Sequence, residues 1–205
     1  MSRLTLIVAA TKNNGIGQES RLPWRLAKEM RYFAKVTSYA PEGKKNAVVM
    51  GRNTWESIPS KFRPLSNRIN VVISQQKDYS LGTPGNDTQC TIHQSYEEAL
   101  QRLQDVRNIH RSFIIGGAAV YAESLKLPPT ASLGFVNRVL LTQIIHPAFD
   151  ECDVFMPDFL AGNEWTKATH QGLCEWVGFD VPEGVQEENG VQYEFQLWSR
   201  EPLQA

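Results

Sequence analysis

Residues 112–125 read SFIIGGAAVYAESL: a short apolar strand, two glycines, then a helix. A strand that turns into a helix through small residues leaves backbone N–H groups and the positive end of the helix dipole open at the junction. The same arrangement stands upstream, where NAVVMG (46–51) runs into RNTWESI (52–58) with Gly51-Arg52-Asn53-Thr54 at the turn. Either junction alone is explained by turn chemistry. Two on one sheet point to a ligand with two phosphates, hence a dinucleotide, and Arg52 adds a guanidinium suited to a further phosphate.

Working outward, LTLIVAA (4–10), RINVVIS (68–74) and VLLTQII (139–145) are also continuous apolar runs. Helical stretches separate them: one from about Arg25 to Ser38, and SYEEALQRLQ (95–104), which opens with Ser95 and Glu98 at capping-box spacing. Continuous apolar strands alternating with helices pair in parallel with both faces covered. The last forty residues alternate more. There EWTKATH and YEFQLWSR flank the turn-rich EENGV, so an antiparallel pair is expected to finish the sheet at its edge. SLGTPGNDTQ (80–89) reads as exposed turn, and no repeat, low-complexity segment or linker interrupts the chain. The expectation is one α/β domain over residues 1–205, with ligands bound outside the carboxyl ends of its strands.

The chain has 205 residues, 41% hydrophobic, with a formal net charge of −1. That is enough for one sizeable core, and it offers no basic footprint for nucleic acid. The apolar run at Leu4–Ala10 is too short for a membrane span and lacks a cleavage site. Three scattered cysteines (Cys90, Cys152, Cys174) fit a reducing compartment, so a cytoplasmic protein is expected. His93, His110, His146 and His170 lie far apart with no cysteine at ligand spacing, so no metal is expected. The NDT sequon at Asn86 carries no weight without a secretory signal.

One residue breaks the helical pattern. In LPWRLAKEMRYF (22–33), Leu26, Met30, Phe33 and the later Val36 are expected on one face, with Lys28, Arg31 and Lys35 opposite. Glu29 falls inside the apolar arc, where a carboxylate is costly unless something there wants it. Gly15-Ile16-Gly17 looks like the start of a dinucleotide fingerprint, but the third small position is Ser20 and Leu22-Pro23-Trp24 follows where a helix should continue. Arg68, opening its strand, is either half of a surface ion pair or a bidentate clamp for a carboxylate.

Taken in order, GIG, LPW, Glu29, GRNTWESIP, RPLSNRINVVIS, IIGGAAVY and YEFQLWSR span nearly the whole chain, from about Leu4 to Arg200. This series closely resembles the dihydrofolate reductase family in its eukaryotic-length, fungal-type form. The resemblance implies a mostly parallel eight-stranded sheet with an antiparallel C-terminal edge strand, flanked by helices. It further implies a monomer that reduces 7,8-dihydrofolate with NADPH. By the same resemblance Glu29 accepts hydrogen bonds from the pterin, with Thr142 bonded to it and burial raising its pKa. Ile7, Val8, Ala9 and Ile115 wall the pterin, and Met30 and Phe33 pack on the ring and its tail. Ile58 and Leu65 line the benzoyl slot, and Arg68 clamps the glutamate carboxylate. Leu22 and Trp24 stand where water reaches the ring.

On the cofactor side the resemblance gives Gly116 and Gly117, joined by a cis peptide. Gly117, Ala118, Ala119 and Val120 receive the pyrophosphate, and Tyr121 stands beside the nicotinamide. Ala9, Ile16 and Leu22 contact the nicotinamide. Gly51, Arg52, Asn53, Thr54, Ser74 and Gln75 surround the 2′-phosphate. Gln75 stands where many animal members carry arginine, so the NADP preference is expected to rest on Arg52. The segment Asn13–Pro23, with two glycines, is expected to be a lid. Two rivals share parts of this pattern: a related reductase of riboflavin synthesis, and a non-catalytic NADP-binding module. Neither explains Glu29, Thr142 and Arg68 together.

Overall fold

Leu4, Leu6, Val8 and Ala10 face one side of the first strand and Ile7 the other, the two-residue period of a pleated strand buried on both faces. The computed structural model in which this is seen describes residues 3–82, 90–162 and 164–200. The expectations for residues 83–89, Asn86 included, lie outside the described residues.

In chain order the elements are β1 (Arg3–Thr11), β2 (Gly15–Gly17), α1 (Ala27–Ser38), β3 (Lys45–Gly51), α2 (Arg52–Ser57), β4 (Arg68–Ile73), β5 (Cys90–His93), α3 (Tyr96–Asp105) and β6 (Ile109–Gly116). They continue with α4 (Ala118–Lys126), β7 (Phe135–His146), β8 (Val154–Phe155), β9 (Thr166–Lys167), α5 (His170–Val177), β10 (Gln186–Glu188) and β11 (Val191–Ser199). Eight strands form one path in the order β10-β11-β7-β1-β6-β3-β4-β5, and β9 pairs with β11 beside it. From β7 to β5 every neighbour is parallel, and β11 runs antiparallel to β7. The mostly parallel sheet with an antiparallel C-terminal strand is thus as expected. Helices α3 and α4 cover one face through Tyr96, Leu100, Leu103 and Val120. On the other face α1, α2 and α5 supply Tyr32, Val36, Trp55, Leu173 and Val177.

The capping box holds with one shift. Ser95 Oγ accepts from Glu98 N at 3.1 Å, while the Glu98 carboxylate accepts from Gln94 N at 2.9 Å, one residue earlier than the standard partner.

Two expectations need correction. First, EWTKATH pairs antiparallel with the last strand as expected, but only through Thr166 and Lys167, and it is not the arm of the C-terminal hairpin. The arm is β10, whose Glu188 pairs with Val191 across Asn189-Gly190, and β9 meets the far end of β11 at Trp198 and Ser199. Helix α5, capped by Thr169 Oγ1 accepting from Gly172 N at 3.1 Å, separates the two. Second, the buried face of α1 keeps Leu26, Glu29 and Val36 as expected but takes in Tyr32 and Thr37 in place of Met30. It carries Glu29, Tyr32, Val36 and Thr37, whereas Met30 is 49% exposed. Tyr32 takes the core position by packing on Phe195, with ring centroids 4.2 Å apart.

The Asn13–Pro23 segment is tied down in its middle. β2 pairs with β8, Met156 N donates to Asn14 O at 3.0 Å, and Glu19 N donates to an Asp153 carboxylate oxygen at 3.0 Å. A Cβ on Gly15 would stand 2.7 Å from Cys152 Cβ and Sγ, so the strand approaches this closely only as glycine.

Candidate active site

The register of β3 against β6 sets Val49 opposite Ile114 and Met50 opposite Gly116. The two glycine junctions therefore lie side by side. A Cβ on Gly51 would fall 3.3 Å from Val120 Cγ2 and 3.9 Å from Gly117 N. The Gly116–Gly117 peptide is cis, and Gly116 sits at φ 128°, a conformation that L side chains rarely adopt. Thr54 Oγ1 closes over the pair, 3.1 Å from where a Gly116 Cβ would stand. Gly117 is the N-cap of α4 and offers no side-chain bond to it. The first N–H groups of α4, at Ala118, Ala119 and Val120, have no partner within their own helix. A cradle bounded by bare backbone and closed to side chains fits a pyrophosphate.

These junctions open into a cleft of about 1870 Å³ that also runs along the ends of β1 and α1. Ordinary small-molecule pockets measure roughly 300–1,000 Å³, so this one has room for two ligands end to end. Every site residue named from the sequence lines it except Thr142, which lies behind Glu29. The residues come from α1, α2, the ends of β1, β3, β4 and β6, and the start of α4. Sequence reasoning did not anticipate Gln94, Ser95, Tyr96, Glu97 and Glu123, which line the same cleft. Ser95, Tyr96 and Glu97 belong to a motif read only as a helix start.

At one end of the cleft, Arg52 forms an ion pair with Glu56 at 2.9 Å, and both side chains are substantially exposed. Such a pair is weakly held, and a phosphate would compete for it. Ser74 is buried, its hydroxyl accepting from Gln76 N at 3.2 Å, while Gln75 is exposed.

At the other end, Glu29 is buried, and the Thr142 hydroxyl donates to its Oε1 at 3.3 Å. Burial pushes the Glu29 carboxyl up to about 7; the Thr142 hydrogen bond acts against this, and the charge of Glu188 adds to it. Across the cleft the Tyr121 hydroxyl donates to Ile7 O at 2.9 Å, which fixes the ring as part of the wall. Leu22 and Met30 are each 49% exposed along the opening. Trp24 is buried against Phe149, and among the described residues its indole N–H has no hydrogen-bond partner. An orphaned donor beside a buried carboxylate marks a place where a ligand atom or a water is wanted.

Arg68 is neither exposed nor ion-paired among the described residues, which removes the surface ion-pair reading and leaves a buried cation open to the clamp reading. It is 6% exposed, donates through Nη1 to Thr37 Oγ1 at 2.7 Å and through Nε to Ser66 O at 2.9 Å. No carboxylate among the described residues forms an ion pair with it. Burial lowers its pKa to about 10, so it remains a cation at neutral pH. Thr37, which orients it, was missed in the sequence, as was Asn70, whose side chain bonds Leu65 N at 2.9 Å and Leu65 O and Arg68 O at 3.0 Å. Both sit in apolar surroundings where their side chains serve the backbone, and a polar residue inside an apolar run was the available signal.

Fold and cleft together define an α/β enzyme whose ligand face lies at the carboxyl ends of a parallel sheet. Residues 3–200 match the family model described as dihydrofolate reductase. The dihydrofolate reductase of Cryptococcus neoformans var. neoformans serotype D is 43% identical, covering 95% of this chain and 93% of its own. That of Pneumocystis carinii is 40% identical over 97% of each. The solved structure of Schistosoma mansoni dihydrofolate reductase superposes with a TM-score of 0.77 at 31% identity, covering 98% of this chain and 99% of that one. The chain belongs to the dihydrofolate reductase family.

Proposed function

We propose that the protein reduces 7,8-dihydrofolate to 5,6,7,8-tetrahydrofolate with NADPH, acting as a cytoplasmic monomer with one domain over residues 1–205. The observation that carries the substrate reading is one cleft holding a buried carboxylate at Glu29 and, at Arg68, a buried cation with no ion-pair partner among the described residues. A pteroylglutamate complements both: two parallel N–H donors on its ring for Glu29, and a terminal carboxylate for Arg68.

When bound, NADPH supplies the hydride received at pterin C6. The chain's own residues position and shield. Glu29 takes the ring N3–H and 2-amino group on its two oxygens, while Thr142 fixes the carboxylate from behind. Ile7, Val8, Ala9 and Ile115 wall the ring, Met30 and Phe33 cover it, and Ile58 and Leu65 hold the benzoyl group. The α4 N-terminus and Gly116-Gly117 take the pyrophosphate, with Arg52 and Ser74 at the 2′-phosphate. Glu29 lies at the edge of the pterin remote from N5, so it does not deliver the N5 proton itself. That proton comes from water reaching the ring beside Leu22 and Trp24, with Glu29 favouring the protonated ring.

Mixing the protein with NADPH and dihydrofolate tests the reading by following nicotinamide absorbance. Absorbance is expected to fall with dihydrofolate and to stay constant with a ribityl-phosphate substrate of riboflavin synthesis. The reverse pattern, or NADPH binding without turnover, would contradict it.

A further inference from the structure

The tip of the β10–β11 hairpin reaches the start of the helix that carries Glu29. Asn189 and Gly190, at φ 52° and 75°, make a two-residue turn with both residues left-handed, the turn that Asn-Gly favours. Both tip side chains then leave the hairpin. The Glu188 carboxylate accepts from Ala27 N at 2.7 Å through one oxygen and from Lys28 N at 2.9 Å through the other. Asn189 Nδ2 donates to Arg25 O at 2.9 Å. Helix α1 has no cap of its own, because Leu26 stands at the N-cap. A carboxylate distant in sequence therefore satisfies two of its orphaned donors and faces the positive end of its dipole. The three bonds grip residues 25–28, immediately before Glu29. Asn189 also closes a pocket of about 340 Å³ that it shares with Trp24, Glu29 and Met30.

We propose that Glu188 is a positioning residue for dihydrofolate reduction, holding the first turn of α1 so that the Glu29 carboxylate stands against Thr142 in the cleft. This rests on the reading of Glu29 given above. The groups acting on Glu29 come from several elements: Thr142 on β7 and Glu188 on β10, with the phenols of Tyr32, Tyr121 and Tyr193 around it. Arg31 acts on Tyr193 from α1. Removing the charge of Glu188 takes away a repulsion, and freeing the α1 N–H groups exposes a positive dipole end. Both changes alone let Glu29 ionise at lower pH, whereas a first turn that lets Glu29 leave Thr142 loses the hydrogen bond that favours its ionised form and moves the titration the other way.

The test compares Glu188→Gln with Glu187→Gln in the full chain. Glu187 adjoins it on β10 and is bonded instead by Gln192 Nε2 at 3.4 Å. Glu188→Gln is expected to raise KM for dihydrofolate about three- to tenfold, the scale of a lost helix cap, and to leave KM for NADPH unchanged. The Glu29 titration, read by carboxyl carbon NMR without ligand, is expected to move to higher pH, because losing the Thr142 hydrogen bond outweighs losing the charge of Glu188. Glu187→Gln is expected to change neither. Equal losses for both substrates, or a Glu29 titration that stays in place or moves to lower pH as charge removal alone would move it, would reduce Glu188 to a support of the fold. Should Glu188→Gln not fold, the amide protons of Ala27 and Lys28 in the unaltered protein are expected to follow one shared carboxyl titration, and independent behaviour would overturn the proposal. Because the NMR titration needs no substrate, failure of the clamp and failure of the dihydrofolate reading give different results.

Discussion

Among the described residues, Glu29 and Arg68 are the buried charged side chains, and neither has an ion-pair partner. For Glu29 the consequence is a pH-dependent stability. Its folded pKa of about 7 lies above the ordinary 4.5, so folding favours the protonated form. That contribution is full below about pH 4.5 and is lost as pH rises through 7; it amounts to something on the order of 3 kcal/mol. Urea midpoints of the ligand-free protein should fall across this window. In Glu29→Gln that component should vanish, and an unchanged slope would show that Glu29 is not buried as described. Arg68→Leu tests the other charge: KM for dihydrofolate should rise strongly, and much less for a pterin lacking the glutamate tail. A matching rise for both would make Arg68 structural. Arg52→Ala should weaken NADPH about ten- to a hundredfold and leave NADH nearly untouched, in fluorescence titrations. The oddity of Glu29 was legible because helical periodicity put a charge where none belonged. The environment of Arg68 was not, because Thr37 lies far from it in sequence and only the folded sheet joins them.

Elements were legible in proportion to their burial. The inner strands announced themselves as apolar runs, since a parallel strand covered on both faces has no polar side to show. The short peripheral pieces β5, β8 and β10 did not, because two to four residues carry no period. Helix α5 was hidden by a run in which Thr169 is an unremarked cap and the core positions are only Leu173 and Val177. The face of α1 was misjudged because Met and Tyr are both compatible with a core, and the aromatic cluster with Phe195 and Phe179 decided between them. The tie between β2 and β8 gives a prediction at this scale. Gly15→Ala would drive its Cβ into Cys152, whose own Cβ cannot rotate away. Overpacking of this kind costs about 1–3 kcal/mol. Amide exchange at Asp153 and Met156, which donate to Gly17 O and Asn14 O, should accelerate while the main sheet stays protected. Unchanged exchange would mean that the loop is not held through this contact.

For the whole molecule, function follows from the register of β1, β3 and β6. Their ends bring two helix-opening glycine junctions together and set α1, with its carboxylate, across from them. One continuous cleft results, with a cradle of bare backbone at one end and a carboxylate and a cation at the other. The central claim is that Glu29 holds the pterin and favours its protonated form. Its most direct measurement is the pH dependence of single-turnover hydride transfer from NADPH, compared between the unaltered protein and Glu29→Gln. Gln keeps the shape and leaves no buried charge unpaired, so folding and NADPH binding should persist. The unaltered protein should lose rate as pH rises through an apparent pKa shared by enzyme and substrate. The Gln variant should be severely slowed at neutral pH and should keep gaining rate into acid as long as it stays folded, because only substrate protonated in solution can react. An unaltered rate and profile in Glu29→Gln would contradict the account.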